Sequence, residues 1–154
     1  MATSAKIAAA EVTTTPAKIP DAEKMGAKDA VLWTDTEAFK RFANSFDIMI
    51  TTVPYAFKMQ PFINLLKLDA TLVNVGDLFN IDGISGSALV MGRKGLAGSA
   101  IGGLKETQEA VEFCASHNIA PDVEVIKPSE IERAYQSVVN EKVRYRFVID
   151  MQAA

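Results

Sequence analysis

Residues 46–76, FDIMITTVPYAFKMQPFINLLKLDATLVNVG, hold two β-branched apolar runs separated by a segment of helical period. The runs are Ile48-Met49-Ile50-Thr51-Thr52-Val53 and Thr71-Leu72-Val73-Asn74-Val75. Neither alternates polar with apolar, so neither suits a sheet with one wet face; both read as strands covered on two sides, as in a parallel sheet. Between them, Phe57 to Leu66 is expected to be helical, with Pro61 marking a late start or a kink, because proline inside a helix removes a hydrogen bond and clashes with the preceding turn.

The alternation continues downstream. Gly95 to Ile101, Val123 to Ile126 and Arg144 to Ile149 read as three further strands. Helices are expected at Ala17 to Met25, ended by Gly26, at Thr36 to Ser45 with Phe39 and Phe42 inward, and at Lys105 to Ser116, stopped by Asn118. Another is expected to start at Ser129, where Ser129 and Glu132 have capping-box spacing and Ile131, Ala134, Tyr135, Val138 and Val139 form one apolar stripe. The fold class is therefore α/β, a parallel sheet of about five strands with helices on both faces.

Composition sets the outer bounds. A 154-residue chain, 49% hydrophobic and 23% charged, is read as one domain large enough to need no disulfide or metal staple. Sixteen Lys and Arg against nineteen Asp and Glu give a charge of -3, without the basic stripe of a nucleic-acid binder. No apolar run approaches the ~20 residues that span a bilayer, and the Ala- and Thr-rich start lacks a secretory core, so a cytoplasmic location without membrane contact is expected. Residues 1–16, almost free of large apolar groups, are expected to fray.

Metal chemistry finds little support. Cys114 and His117 are three apart on one expected helix, but the sequence holds one Cys and one His, and tetrahedral zinc takes three or four protein ligands. Cys114 is read as a small core residue, and Ala110 and Val111 as its companions on the buried face. Nor does a Gly-x-Gly-x-x-Gly loop follow a first strand; Gly98 to Gly103 has glycines at another spacing, late in the chain.

In open α/β sheets, ligands bind beyond the carboxyl ends of the strands. Four clusters stand there: Thr13-Thr14-Thr15 with Lys18, Thr51-Thr52-Val53-Pro54, Val75-Gly76-Asp77, and Ser99-Ala100-Ile101-Gly102. Taken singly, each is also ordinary turn chemistry.

Met91-Gly92-Arg93-Lys94, Gly98-Ser99-Ala100-Ile101-Gly102-Gly103, Lys105-Glu106-Thr107-Gln108-Glu109 and Val143 to Asp150 occur in order. Together with Asp47 to Pro54, Leu65-Leu66-Lys67 and Glu112-Phe113-Cys114, they resemble the cinnamyl alcohol dehydrogenase branch of the zinc-dependent medium-chain alcohol dehydrogenases, from about Glu11 to Asp150. The resemblance implies an NADP-dependent oxidation of primary alcohols, or reduction of aldehydes, at a catalytic zinc, with the coenzyme on a Rossmann domain. It further implies a truncated Rossmann-type domain over 1–154, lacking the first strand with its glycine loop and the zinc-bearing catalytic domain, with residues 143–151 as a returning C-terminal strand.

By the same resemblance Thr14, Thr15 and Lys18 correspond to the cluster that holds the 2′-phosphate of NADP. Thr52, Val53 and Pro54 correspond to the turn beside the coenzyme, Val75 and Gly76 to the next strand end, and Ser99, Ala100 and Ile101 to the segment meeting the nicotinamide amide. It implies a homodimer through the Gly95 to Ile101 edge strand, a form that also keeps an exposed edge from aggregating. NADP binding is expected to be weak or lost without the glycine loop, and no zinc ligands are expected here. Two readings stay open: the coenzyme-domain portion of an oxidoreductase, inactive alone and working with a separate catalytic portion, or a non-catalytic remnant that folds and dimerises.

Overall fold

The structure is a computed structural model that describes residues 10–76, 81, 83–140, 143 and 146–153. The chain forms two compact units, 1–100 and 101–154.

In the first unit, β1 (Ala10–Thr13) pairs in parallel with β2 (Asp29–Leu32), from Ala10 opposite Asp29 to Thr13 opposite Leu32. The connection is a 3-10 turn, Pro16–Lys18, and α1 (Ile19–Lys24), which buries Ala22. Past its end the chain turns at Gly26, where φ of +100° suits a residue without a Cβ. Two expectations change here. Residues 10–13 are a strand, not a frayed end, because β2 supplies their hydrogen-bond partners, and β2 itself was not anticipated. Residues 1–9 lie outside the described residues.

A second parallel sheet has the order β3-β4-β5, formed by Phe46–Thr51, Leu66–Asn74 and Gly95–Gly98. Between β2 and β3 lies α2 (Thr36–Arg41), capped by the Asp35 carboxylate, which accepts from the amides of Glu37 and Ala38 at 3.1 and 2.9 Å. Between β3 and β4 lies α3 (Gln60–Ile63), shorter than the expected Phe57 to Leu66: it starts late, with Pro61 in its first turn, and Leu66 already opens β4. An unanticipated helix, α4 (Gly86–Gly92), precedes β5. Met59, Ile63, Leu66, Ala70 and Leu72 make the core, with Met49, Phe57 and Phe62 packed on it. Phe62 meets Phe39 and Phe57 edge-on at 5.3 and 5.4 Å.

Where β3 and β4 slip register, Asp69 takes φ of +62° and its carboxylate pairs with Arg93, itself left-handed at the end of α4. The clamp closes the bulge against the following helix.

In the second unit, α5 (Leu104–Ser116) ends at a left-handed Asn118, and β6 (Glu124–Ile126) pairs in parallel with β7 (Phe147–Ile149). Between these strands α6 (Ile131–Val139) follows a 3-10 turn, Pro128–Glu130. The expected cap shifts upstream: the Lys127 amide donates to Glu130, because Pro128 opens the turn before Ser129 can cap it. The expected apolar stripe of α6 is buried only at Ala134, and Ala110 and Val111 of α5 are exposed with Cys114 part-buried. Arg144 and Tyr145 of the expected last strand lie outside the described residues.

The architecture is α/β, and among the described residues seven strands pair in parallel in three sets, where about five in one sheet were expected. Helices do not cover every apolar strand residue: Ile48 and Ile50 of β3 are 59% and 65% exposed. Among the described residues, no helix is long and apolar enough to cross a membrane.

Candidate functional site

Parallel strands point their carboxyl ends the same way, and in the first unit those ends gather most of the polar residues singled out by the sequence. In the three-stranded sheet they are tied together by backbone bonds. The Val75 amide donates to the Thr51 carbonyl at 3.0 Å, and the Ser99 amide donates to the Asn74 carbonyl at 3.1 Å. The Gly76 amide donates to the Asn74 side-chain oxygen at 3.3 Å, and the Val53 amide to Thr51 Oγ1 at 3.4 Å. Thr52 to Pro54, Val75 to Gly76 and Ser99 to Ala100 thus form one rim.

Gly76 is the tightest point of that rim. A Cβ at this position would come within 2.5 Å of the carbonyl oxygens of Thr52 and Val53, so only glycine lets the two strand ends lie this close.

At the carboxyl end of β1, Thr13 is buried, while Thr14 is exposed and Thr15 half-buried. The Thr15 amide donates to Thr13 Oγ1 at 3.3 Å, and the Lys18 amide donates to the Thr15 carbonyl at 3.0 Å, so the 3-10 turn holds Lys18 one turn beyond the hydroxyls. Just past the end of the neighbouring β2 stands Trp33, whose amide donates to the Thr13 carbonyl at 3.0 Å. The donor set suits a phosphate: hydroxyls and a lysine, with no carboxylate among Thr13 to Lys18.

Sequence reasoning missed a cleft of about 1030 Å³ in the first unit, lined by Trp33, Phe39, Lys40, Phe57, Lys58 and Pro61 among others. Trp33 is the only tryptophan of the chain, a signal that was available, but its meaning depends on recognising β2 ahead of it. The cleft offers aromatic walls and two lysines, of which Lys40 is paired with the Glu37 carboxylate at 2.7 Å, a setting for a flat ligand.

Other residues are not brought in. Asp77 lies outside the described residues, and Ile101, 94% exposed, opens the second unit. His117 Nδ1 lies 2.8 Å from the Phe113 carbonyl and the ring stacks on Phe113 at 4.1 Å, so it closes the end of α5. Among the described residues, no group of three or more His, Cys, Asp or Glu is arranged to hold a metal ion.

No family profile matches the sequence. Known proteins do. The NADP-dependent alcohol dehydrogenase C of Mycobacterium bovis is 40% identical over 136 residues, 88% of this chain and 39% of its own length. A cinnamyl alcohol dehydrogenase of Sorghum bicolor superposes with a TM-score of 0.85 at 26% identity, over 94% of this chain and 41% of that one. The cinnamyl alcohol dehydrogenase of Helicobacter pylori, solved with NADP(H), superposes with a TM-score of 0.76 at 30% identity, again over 94% and 41%. The chain is a partial member of the cinnamyl alcohol dehydrogenase-like family. As a cinnamyl alcohol dehydrogenase-like chain it spans about two fifths of the length of the relatives it matches. Its parallel strands are those of a Rossmann-type fold.

Proposed function

We propose that these residues form the coenzyme-holding part of an NADP-dependent alcohol dehydrogenase acting between primary alcohols and aldehydes. The observation that carries the reading is the turn after β1. In doubly wound folds the group at the end of this strand meets the adenosine ribose: an acidic side chain accepts hydrogen bonds from the ribose hydroxyls of NAD, and cationic or hydroxyl groups donate to the 2′-phosphate of NADP. Here that position offers Thr14, Thr15 and Lys18.

NADP, when bound, gives or takes the hydride. Thr14, Thr15 and Lys18 hold its 2′-phosphate, Thr52, Val53 and Pro54 flank it, and Val75, Gly76, Ser99 and Ala100 line the approach, with Ile101 beyond them. Among the described residues no group of His, Cys, Asp or Glu is arranged to hold a zinc ion, and this reading assigns polarising the carbonyl to a separate catalytic portion.

Trp33 makes the reading testable without a substrate. Titrating NADPH against the intrinsic fluorescence of this single tryptophan should give a saturable change. Lys18→Ala removes a charged hydrogen bond worth about 1.5–3 kcal/mol and should weaken binding by about ten- to a hundredfold, leaving the fold intact by circular dichroism. Unchanged affinity in that variant would place the phosphate elsewhere.

One observation favours a second reading, a non-catalytic homodimer: β5 is an edge strand with its outer hydrogen-bonding groups unpaired in the sheet. Sedimentation decides it, since a strictly monomeric chain at micromolar concentration does not use that edge.

A further inference from the structure

Thr13, Thr51 and Asn74 are the last residues of β1, β3 and β4, and all three accept hydrogen bonds in the same way. Each backbone carbonyl accepts from the first residue past the neighbouring strand: Trp33 for Thr13, Val75 for Thr51 and Ser99 for Asn74. Each side-chain oxygen accepts from the amide two residues on: Thr15 to Thr13 Oγ1 at 3.3 Å, Val53 to Thr51 Oγ1 at 3.4 Å and Gly76 to Asn74 Oδ1 at 3.3 Å. The carbonyl bonds continue the ladder and any residue would make them. The side-chain bonds need a short polar side chain, and they bend the strand out of the sheet through one kind of turn. The residue in the middle of each turn, Thr14, Thr52 or Val75, is exposed.

We propose that Thr13, Thr51 and Asn74 are positioning residues: each fixes the turn beyond its strand so that the following residues, and not itself, face the ligand. The proposal rests on the coenzyme reading above and divides the ligand among the three. Among the described residues Thr13 alone is both polar and buried, at 6% exposed, and a hydroxyl there is costly unless it is bonded. It holds the Thr15 amide, and the Thr15 carbonyl in turn accepts from the Lys18 amide at 3.0 Å, so Thr13 sets the hydroxyls and the lysine that meet the 2′-phosphate. Asn74 breaks the apolar run Leu72-Val73-Asn74-Val75 with a residue that strands disfavour. With Thr51 it holds Thr52 to Pro54 and Val75 to Gly76, which a coenzyme with or without the 2′-phosphate meets alike.

The test titrates NADPH and NADH into the full chain and into Thr13→Val, Thr51→Val and Asn74→Leu, which keep size and remove the acceptor. Thr13→Ser, Thr51→Ser and Asn74→Thr restore an acceptor at the same place. Thr13→Val should lower NADPH affinity about three- to tenfold more than NADH affinity, and the other two should lower both by a similar factor. The restoring variants should bind as the parent does. Without coenzyme, hydrogen exchange at the Thr15, Val53 and Gly76 amides should quicken in the Val and Leu variants and not in the restoring ones. A merely structural role would weaken both coenzymes together in Thr13→Val, so that result overturns the proposal, as do unchanged affinities or exchange, or restoring variants that fail to restore. A parent chain that binds neither coenzyme, or both alike, overturns the coenzyme reading and this proposal with it.

Discussion

Asp69 and Arg93 show how much geometry one ion pair can carry. Both residues are left-handed, with φ of 62° and 44°, and the Arg93 guanidinium donates through Nε to Asp69 Oδ1 at 2.6 Å and through Nη2 to Oδ2. The hydrogen bonds from Arg93, and then its charge, hold the Asp69 carboxyl below the ordinary carboxylate range. A folded-state pKa below the unfolded one means that the pair's contribution is present above the unfolded carboxylate pKa and is lost as the pH falls through the folded value. Urea midpoints measured from pH 7 downward should therefore drop below about pH 4, and Arg93→Met should flatten that drop. At α2, Asp35→Ala removes the acceptor for two amides and should cost about 1 kcal/mol in urea denaturation, as helix caps do. Neither feature was legible in the sequence: left-handed φ at Asp69 and Arg93 follows from a register slip between β3 and β4 that no local motif announces.

At the scale of elements, the strands that could be read were those with β-branched runs, β3, β4 and the core of β6 and β7. The strand expected over Gly95 to Ile101 ends at Gly98, whose partner Asn74 is the last residue of β4. β2, Asp29–Leu32, and α4, Gly86–Gly92, escaped notice because four residues opened by an aspartate, and seven bounded by glycines, carry little periodicity. Their existence is decided by β1 pairing and by Ala88 and Leu89 packing on the core. The joint between β3 and β4 gives the sharpest test of an element contact. Gly76→Ala must push back Thr52 and Val53, backbone that cannot rotate aside, and should cost about 1–3 kcal/mol of stability. Because the displaced carbonyls belong to the proposed coenzyme rim, NADPH affinity should fall in the same variant, and a drop in stability without a drop in affinity would separate the rim from the site.

For the molecule as a whole, the family and fold class were legible because ordered motifs run from Asp47 to Asp150, and the similarity to the Mycobacterium bovis enzyme over 88% of the chain agrees. The cleft was not legible, since Trp33, Lys40 and Lys58 meet only through tertiary packing. What the sequence offered directly was the chemistry of the β1 turn, and the central claim rests there. Calorimetric titration of the purified chain with NADPH, and in parallel with NADH, tests it most directly. Weak but saturable binding of NADPH, with NADH at least about tenfold weaker, is the predicted result, a difference of roughly 1.4 kcal/mol or more. Equal affinity for the two coenzymes, or no heat from either up to millimolar concentration, would contradict the assignment of Thr14, Thr15 and Lys18 to the 2′-phosphate.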